Sequence, residues 1–338
     1  MESVYQKITK ILSSNMLPFY DDFFALLNEV SELLENEKTG AAGYRPVSSD
    51  GKAGGLLDFH NDELPLIVVP DFHARPYFLQ NILDYQIWGD TTIFQAISEG
   101  KLRFLSVGDI LHTERGTRER WMAAEAEVDN EIYTGPAMSS EMQEGLSLWC
   151  ALMELKKAFP EHVHILKGNH ENILNETDGG DFAFRKFVDE GEMCRCFVQE
   201  YYGDDILYLM NCVEKSLPLY FWGKRCSVSH AEPIRVFTKQ ELIDARLYSG
   251  VVKGLIWTNN GEAAEGSVAG TVKNLFSKTG EVPEGYVSLG GHRPVTGNYK
   301  SLQNGDYIQI HNPGKQNIVF INAEHSFNPE ADIIEVKK

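Results

Sequence analysis

Five short apolar runs in this chain each end in a loop that carries oxygen or nitrogen donors, and that recurrence limits what the chain can fold into. Leu64–Val69 leads into Asp71-x-His73, and Phe104–Val107 into Gly108-Asp109. Val163–Leu166 leads into Gly168-Asn169-His170-Glu171. The run ending at Ser229 leads into His230, and Tyr286–Leu289 into Gly291-His292. Apolar runs this short, set off by turn residues, read as buried strands. The first two-thirds of the chain alternates strand and helix, whereas the last third is strand-rich. The pattern predicts an α/β fold of two packed mixed β-sheets flanked by helices. In α/β sheets ligands gather at the carboxyl ends of strands, which is where all these donors fall.

The remaining segments fill in this frame. Residues 1–38 carry apolar positions at helical spacing (Ile8, Ile11, Leu12, then Phe23, Phe24, Leu26, Leu27, Val30, Leu33, Leu34). They read as a helical extension packed on the main domain, followed by a Gly- and Ser-rich linker over 39–56. Helices are expected over 77–83, 92–98, 117–158 with a break near Gly135-Pro136, and 181–202. The segment 117–143 reads as an acidic helical insertion, either a solvated helix or a cap beside the site. Leu217–Phe221 and Lys224–Ser229 read as a hairpin turning at Trp222-Gly223. Leu255-Ile256-Trp257, Tyr307–Ile310 and Ile318–Ile321 read as further strands.

The donors suit a pair of divalent ions. In Asp71-x-His73 a spacing of two puts both side chains on one side of an extended segment. Two ions need a bridging carboxylate, and Asp109 is the natural bridge. Asp71 and His73 would complete one ion; Asn169, His230 and His292 would complete the other. Carboxylate, amide and imidazole together suit Mn²⁺ best, with Fe or Zn²⁺ as alternatives. Ions about 3.5–4 Å apart clamp a phosphoryl group and activate water in phosphatases and nucleases.

At these residues the chain resembles the calcineurin-like metallophosphoesterases, whose pattern is Asp-x-His, Gly-Asp, Gly-Asn-His-Glu/Asp and two later His. Residues 146–171 are similar to the phosphoprotein (serine/threonine) phosphatase branch, as are Leu217-Pro218-Leu219 and Leu255-Ile256-Trp257-Thr258. The resemblance implies that residues 57–338 are a metallophosphoesterase catalytic domain. It implies Asp71, His73, Asp109, Asn169, His230 and His292 as metal ligands. His170 would be the general acid, in a reaction that begins with in-line attack by a metal-bound hydroxide. The branch reads Gly-Asp-x-Val-Asp-Arg-Gly where this chain has Gly108-Asp109-Ile110-Leu111-His112-Thr113-Glu114-Arg115-Gly116. His112 therefore stands where an Asp would orient His170, unless Glu114 or Glu232 takes that part. Arg115 and Arg75 are the candidates for phosphate contact.

The resemblance implies a hydrolase, first of all a phosphomonoesterase similar to serine/threonine phosphatases, acting on a phosphoprotein or a small phosphorylated molecule. His112, and Gly291-His292-Arg293-Pro294, leave a phosphodiesterase or dinucleoside polyphosphate hydrolase as the alternative, and a non-catalytic binding module as a third. With a net charge of −18 and no basic cluster, nucleic acid is not an expected partner. No apolar run approaches the roughly 20 residues of a membrane helix. Five scattered cysteines and the lack of a leader-like N-terminus point to a reduced, cytoplasmic setting.

Overall fold

Strands in this protein are apolar on both faces because each sheet is covered on both sides. In the computed structural model, which describes residues 3–14, 16–37, 43–114, 116–322 and 325–337, all four residues of Leu66–Val69 are buried. Ile67 and Val69 face a core shared with helices, whereas Leu66 and Val68 face the other sheet. The strict period of two in side-chain direction produces that division.

Thirteen strands and twelve α-helices follow in chain order among the described residues. The strands are β1 (Leu56–Phe59), β2 (Leu66–Val69), β3 (Gln86–Trp88), β4 (Thr91–Thr92), β5 (Arg103–Ser106), β6 (Val163–Ile165), β7 (Tyr220–Gly223), β8 (Cys226–Ser229), β9 (Val287–Gly290), β10 (Lys300–Leu302), β11 (Tyr307–Gln309), β12 (Asn317–Ile321) and β13 (Ile333–Glu335). The helices are α1 (Val4–Ser13), α2 (Tyr20–Asn36), α3 (Pro76–Asp84), α4 (Ile93–Ser98), α5 (Arg118–Val128), α6 (Pro136–Ala158), α7 (Glu190–Tyr202), α8 (Asp204–Ser216), α9 (Lys239–Ile243), α10 (Ser249–Ile256), α11 (Ser267–Phe276) and α12 (Pro329–Asp332).

A six-stranded sheet runs β1-β7-β8-β9-β11-β10 and a five-stranded sheet β13-β12-β2-β5-β6. Both mix parallel and antiparallel pairs: β2, β5 and β6 are parallel, as are β8 with β9 and β9 with β11. The two sheets share one core, which includes Leu57, Val68, Leu105, Leu166, Phe221, Val228 and Leu289. The outer face of the five-stranded sheet packs on α1–α8, and that of the six-stranded sheet on α9–α11. This is the expected four-layer sandwich.

The N-terminal helices are part of that packing. Ile8, Phe23, Leu27 and Val30 join the core of the helical layer. A charged knot seals the end of α2. Glu37 is paired with Arg45 at 2.5 Å and with Lys156 of α6, and all three side chains are buried. Arg45 Nε also donates to the Gly54 carbonyl at 2.8 Å.

Several local expectations change. Leu255-Ile256-Trp257 is not a strand: Leu255 and Ile256 close α10, where Val251, Val252, Leu255 and Ile256 line one helical face against the core. Three apolar residues cannot separate strand from helix by period. Leu56–Phe59 form β1, parallel to β7, with Leu56 taken from the end of the expected linker and 57–59 a strand that was not expected; part of that linker, 39–42, lies outside the described residues. The hairpin turns at Lys224-Arg225, so Trp222 and Gly223 belong to the strand. Helix α7 begins only at Glu190. The carboxylate of Glu190 accepts from the Lys186 and Phe187 amides at 2.8 and 2.7 Å, holding 181–189 as a loop. Cys194 and Cys196 sit on α7, and all five cysteines are free. No helix among the described residues is long and apolar enough to cross a membrane.

Candidate metal centre

The loops leaving β2, β5, β6, β8 and β9 meet at one end of the sandwich, and backbone ties fix them before any side chain is considered. His73 and Ala74 amides donate to the Asp109 and Ile110 carbonyls, both at 2.8 Å. The Glu171 carboxylate accepts from the amides of Gly168, Asp109 and Ile110 at 2.7, 2.8 and 2.8 Å. One side chain of the Gly-Asn-His-Glu motif thus clamps the β5 loop to the β6 loop. The approach is so close that a Cβ on Gly168 would collide with the Asp109 carboxylate, and one on Gly291 with that of Asp71. Asp71 Oδ1 accepts the His292 amide at 3.0 Å, and Asp109 Oδ1 that of His170 at 2.9 Å. His73, Asp109, His112 and His292 all take positive φ, between 45° and 74°. Non-glycine residues hold that conformation only where the surroundings over-determine it.

These ties bring together Asp71, His73, Asp109, Asn169, His230 and His292, each less than a tenth exposed. The contacts of His73 and His230 with Asp109 are spaced as ligands rather than as hydrogen bonds. His73 Nε2 lies 3.7 Å from Asp109 Oδ2, and His230 Nε2 lies 3.5 Å from the same oxygen. Donors about 2.0–2.2 Å from a common cation stand roughly 3.0–3.6 Å apart, a range beyond ordinary hydrogen bonds for its upper part. His73 Nδ1 is 3.1 Å from the His112 carbonyl, and His230 Nδ1 is 2.9 Å from that of Val107. Each carbonyl takes the ring N–H, which turns the Nε2 lone pair inward, the arrangement usual for metal-binding imidazoles. Asn169 Oδ1 sits 2.9 Å from both His230 Nε2 and His292 Nδ1. Asp71 Oδ2 and His292 Nε2 are buried without a hydrogen-bond partner.

Electrostatics point the same way. Burial beside the Asp71 and Glu171 carboxylates pushes Asp109 well above the usual carboxylate range. Burial pulls His73 down to about 3, and it lowers His170 and His292 well below the ordinary imidazole value. Neutral imidazoles around carboxylates that crowd one another form a site that a cation relieves. The donor set fits divalent ions.

One buried histidine in this cluster was not anticipated. His311 follows β11, with Nδ1 3.2 Å from Asp71 Oδ2 and its ring 5.1 Å from that of His73. Neither of its ring nitrogens has a hydrogen-bond partner. Its signal was the one used for the others: an apolar run, Tyr307–Ile310, ending in His-Asn-Pro-Gly.

Around His170 the structure departs from expectation. Its ring lies 4.7 Å from that of His112 and stacks on Phe184 at 4.6 Å. The carboxylate nearest to His112 is Glu190, 3.4 Å away. Neither acid suggested as an orienting group for His170 takes that place. Glu114 faces His73 and His311, and Glu232 accepts from Gln303 at 2.6 Å. Insertion helix α5 buries Trp121 5.2 Å from His112, and its indole N–H donates to the Thr113 carbonyl at 2.9 Å. Arg75 was a candidate for phosphate, but its fork donates to the carbonyls of Phe72, Asp71 and Lys315 at 2.7–2.9 Å. It braces the β2 loop instead. Arg115 lies outside the described residues.

The architecture is shared with a solved phosphatase. A protein serine/threonine phosphatase from Saccharomyces cerevisiae superposes with a TM-score of 0.57 over 94% of this chain and 89% of its own, at 14% identity. A cold-active protein-tyrosine phosphatase of a psychrophilic Shewanella species matches at a TM-score of 0.41 and 15% identity, over 81% of each chain. At that identity the yeast likeness speaks to the fold. No family model and no curated protein matches the sequence.

Proposed function

We propose that this chain is a metal-dependent phosphoester hydrolase with a dinuclear site, acting on phosphomonoesters in the manner of serine/threonine phosphatases. The observation that carries the reading is the convergence of buried, ligand-spaced donors from strands of both sheets. Two divalent ions held there, Mn²⁺ for preference, would clamp the phosphoryl oxygens and supply an activated water. Asp71, His73 and Asp109 would hold one ion, and Asp109, Asn169, His230 and His292 the other. Glu171 ties the amides of Asp109 and Ile110 to that of Gly168, the residue before Asn169, and so keeps the two loops in register. His170 is placed to protonate the leaving oxygen. Its Nδ1 has no hydrogen-bond partner, and Phe184 keeps water from one face of its ring. His112, paired with Glu190, backs His170. Residues 57–338 would form the hydrolase domain, with 1–56 as its extension and α5 as part of its wall. Five free cysteines suit a reducing compartment such as the cytosol.

A second reading, hydrolysis of phosphodiesters or dinucleoside polyphosphates, has its own support. The Arg75 fork is engaged with carbonyls, and Glu114 brings another negative charge to the site. Both weaken attraction for a dianionic monoester more than for a monoanionic diester; the polyphosphate part of this reading rests instead on Gly291-His292-Arg293-Pro294. The deciding experiment is one assay with Mn²⁺ on an aryl phosphate monoester, an aryl diester and a dinucleoside polyphosphate. Preference for the monoester supports the first reading, and preference for either of the others replaces it with the second. No turnover of any of the three, with metal bound, would refute both.

A further inference from the structure

Glu114 lies beyond the strand-end donors, in the loop between β5 and α5, yet its carboxylate reaches into the cluster. Its side chain is 9% exposed. Oε1 lies 3.5 Å from His73 Nε2, and Oε2 lies 3.7 Å from His311 Nε2. These separations are long for hydrogen bonds and match two donors sharing a cation about 2.0–2.2 Å from each. The imidazole nitrogens are suited to that use. The His112 carbonyl takes the Nδ1 side of His73, leaving Nε2 turned toward Glu114. His311 is wholly buried with neither ring nitrogen hydrogen-bonded, and its Nδ1 is 3.2 Å from Asp71 Oδ2. Asp71, His73 and His311 thus lie close enough to share one ion, and Glu114 approaches that group through His73 Nε2. Lys186, from the loop before α7, pairs with Glu114 Oε2 at 2.6 Å and holds the carboxylate in place.

We propose that Glu114 is a direct ligand of the ion held by Asp71, His73 and His311. The inference rests on the reading of the cluster as a metal centre. With the bridging Asp109, that ion has three carboxylates and two imidazoles around it. Such an oxygen-rich set favours a harder ion such as Mn²⁺ over copper or a tetrahedral zinc. Asp71, His73, Asp109, Glu114 and His311 would hold this ion, which would supply positive charge for a phosphoryl oxygen. Lys186 competes for the same carboxylate, which makes the loop over His170 and the occupancy of this ion mutually dependent.

The test is metal binding by the full chain. Protein stripped with a chelator is titrated with Mn²⁺ by calorimetry, and bound metal is counted by elemental mass spectrometry. Wild type should take up two ions. Glu114→Gln should weaken one of them by more than the ~10–100-fold that loss of an outer-sphere partner costs. Glu114→Asp keeps the charge but withdraws the carboxylate by one methylene, and it should weaken the same ion. Wild-type affinity in both variants would overturn the proposal. So would wild-type affinity in Glu114→Asp alone, because charge without contact would then suffice. If Glu114→Gln does not fold, Glu114→Asp decides the matter. A wild-type protein that binds no Mn²⁺ overturns the metal centre itself, a result distinct from two ions bound identically in all three proteins.

Discussion

The metal cluster and the wall around His170 are neighbours built by different means. The cluster is fixed by the backbone: Glu171 gathers three amides, and Asp71 and Asp109 each accept another. Its residues sit within a few positions of strand ends, so local sequence carries them there. The wall is assembled from side chains supplied by distant segments. Phe184 and Lys186 come from the loop before α7, Glu190 from that helix, and Trp121 from the insertion. The cluster is drawn from strand ends, whereas the wall is drawn from loops and helices far apart in the chain. Under the proposed function the wall would border the proton donor and the cluster would hold the ions, so substrate choice would reside in the wall.

The sharpest way to separate the two regions is His170→Asn. General acid catalysis contributes roughly 10²–10⁴-fold, so kcat should fall by that factor on esters with poor leaving groups. Metal content, measured on the same sample, should not change; coincident metal loss would place His170 in the cluster. The wall's own anchor comes next. Trp121→Ala removes a fully buried indole and should cost about 3–5 kcal/mol of stability in denaturant titration. A cost below about 1 kcal/mol, the scale of a surface change, would mean that α5 merely rests on the site. In the cluster, Glu171→Gln keeps the shape but weakens the clamp on three amides. It should lower metal affinity by ~10–100-fold, the effect expected of an outer-sphere partner. Unchanged affinity would show that the loops hold themselves.

The smallest effect concerns pH. Glu214 accepts the Ile173 amide at 2.8 Å, just beyond the Gly-Asn-His-Glu motif, and burial pushes its carboxyl up to about 8. Its folded value lies above its unfolded one, so the native state holds the extra proton between about 4.5 and 8. The contribution of this group is present at acid pH and lost as pH rises through that window. Glu214→Gln should therefore flatten the fall in melting temperature between pH 5 and 8. An identical slope in wild type and variant would remove Glu214 from the account.

The same contrast explains what sequence reasoning reaches. Asp71, His73, Asp109, Asn169, His230 and His292 follow apolar runs, and the rule that ligands collect at strand ends finds them. His311 obeys the same rule, but it follows Tyr307–Ile310 without the preceding Gly that marks most of the other loops. Arg75 misleads for the opposite reason. Its position after His73 is right for phosphate, but three carbonyls in folded loops claim its guanidinium, and sequence does not show where carbonyls point. Glu190 next to His112 was beyond reach, since 78 positions separate them. Of the fold, the sandwich and most helices were legible from period and turn residues. Leu255–Trp257 and Leu56–Phe59 were not, because three or four apolar residues carry too little period to choose an element.

The knot of Glu37, Arg45 and Lys156 has a practical consequence for anyone trimming this protein. The first 37 residues look dispensable, a pair of helices ahead of a linker. Cutting them away would strip both cations of their buried counter-ion, and removing one partner of such a group typically costs about 3–5 kcal/mol. It would also uncover the apolar surface that α1 and α2 cover. A shortened version that lacks only residues 1–37 should therefore aggregate on expression, whereas one that retains Glu37 and the helix leading to it should remain in solution.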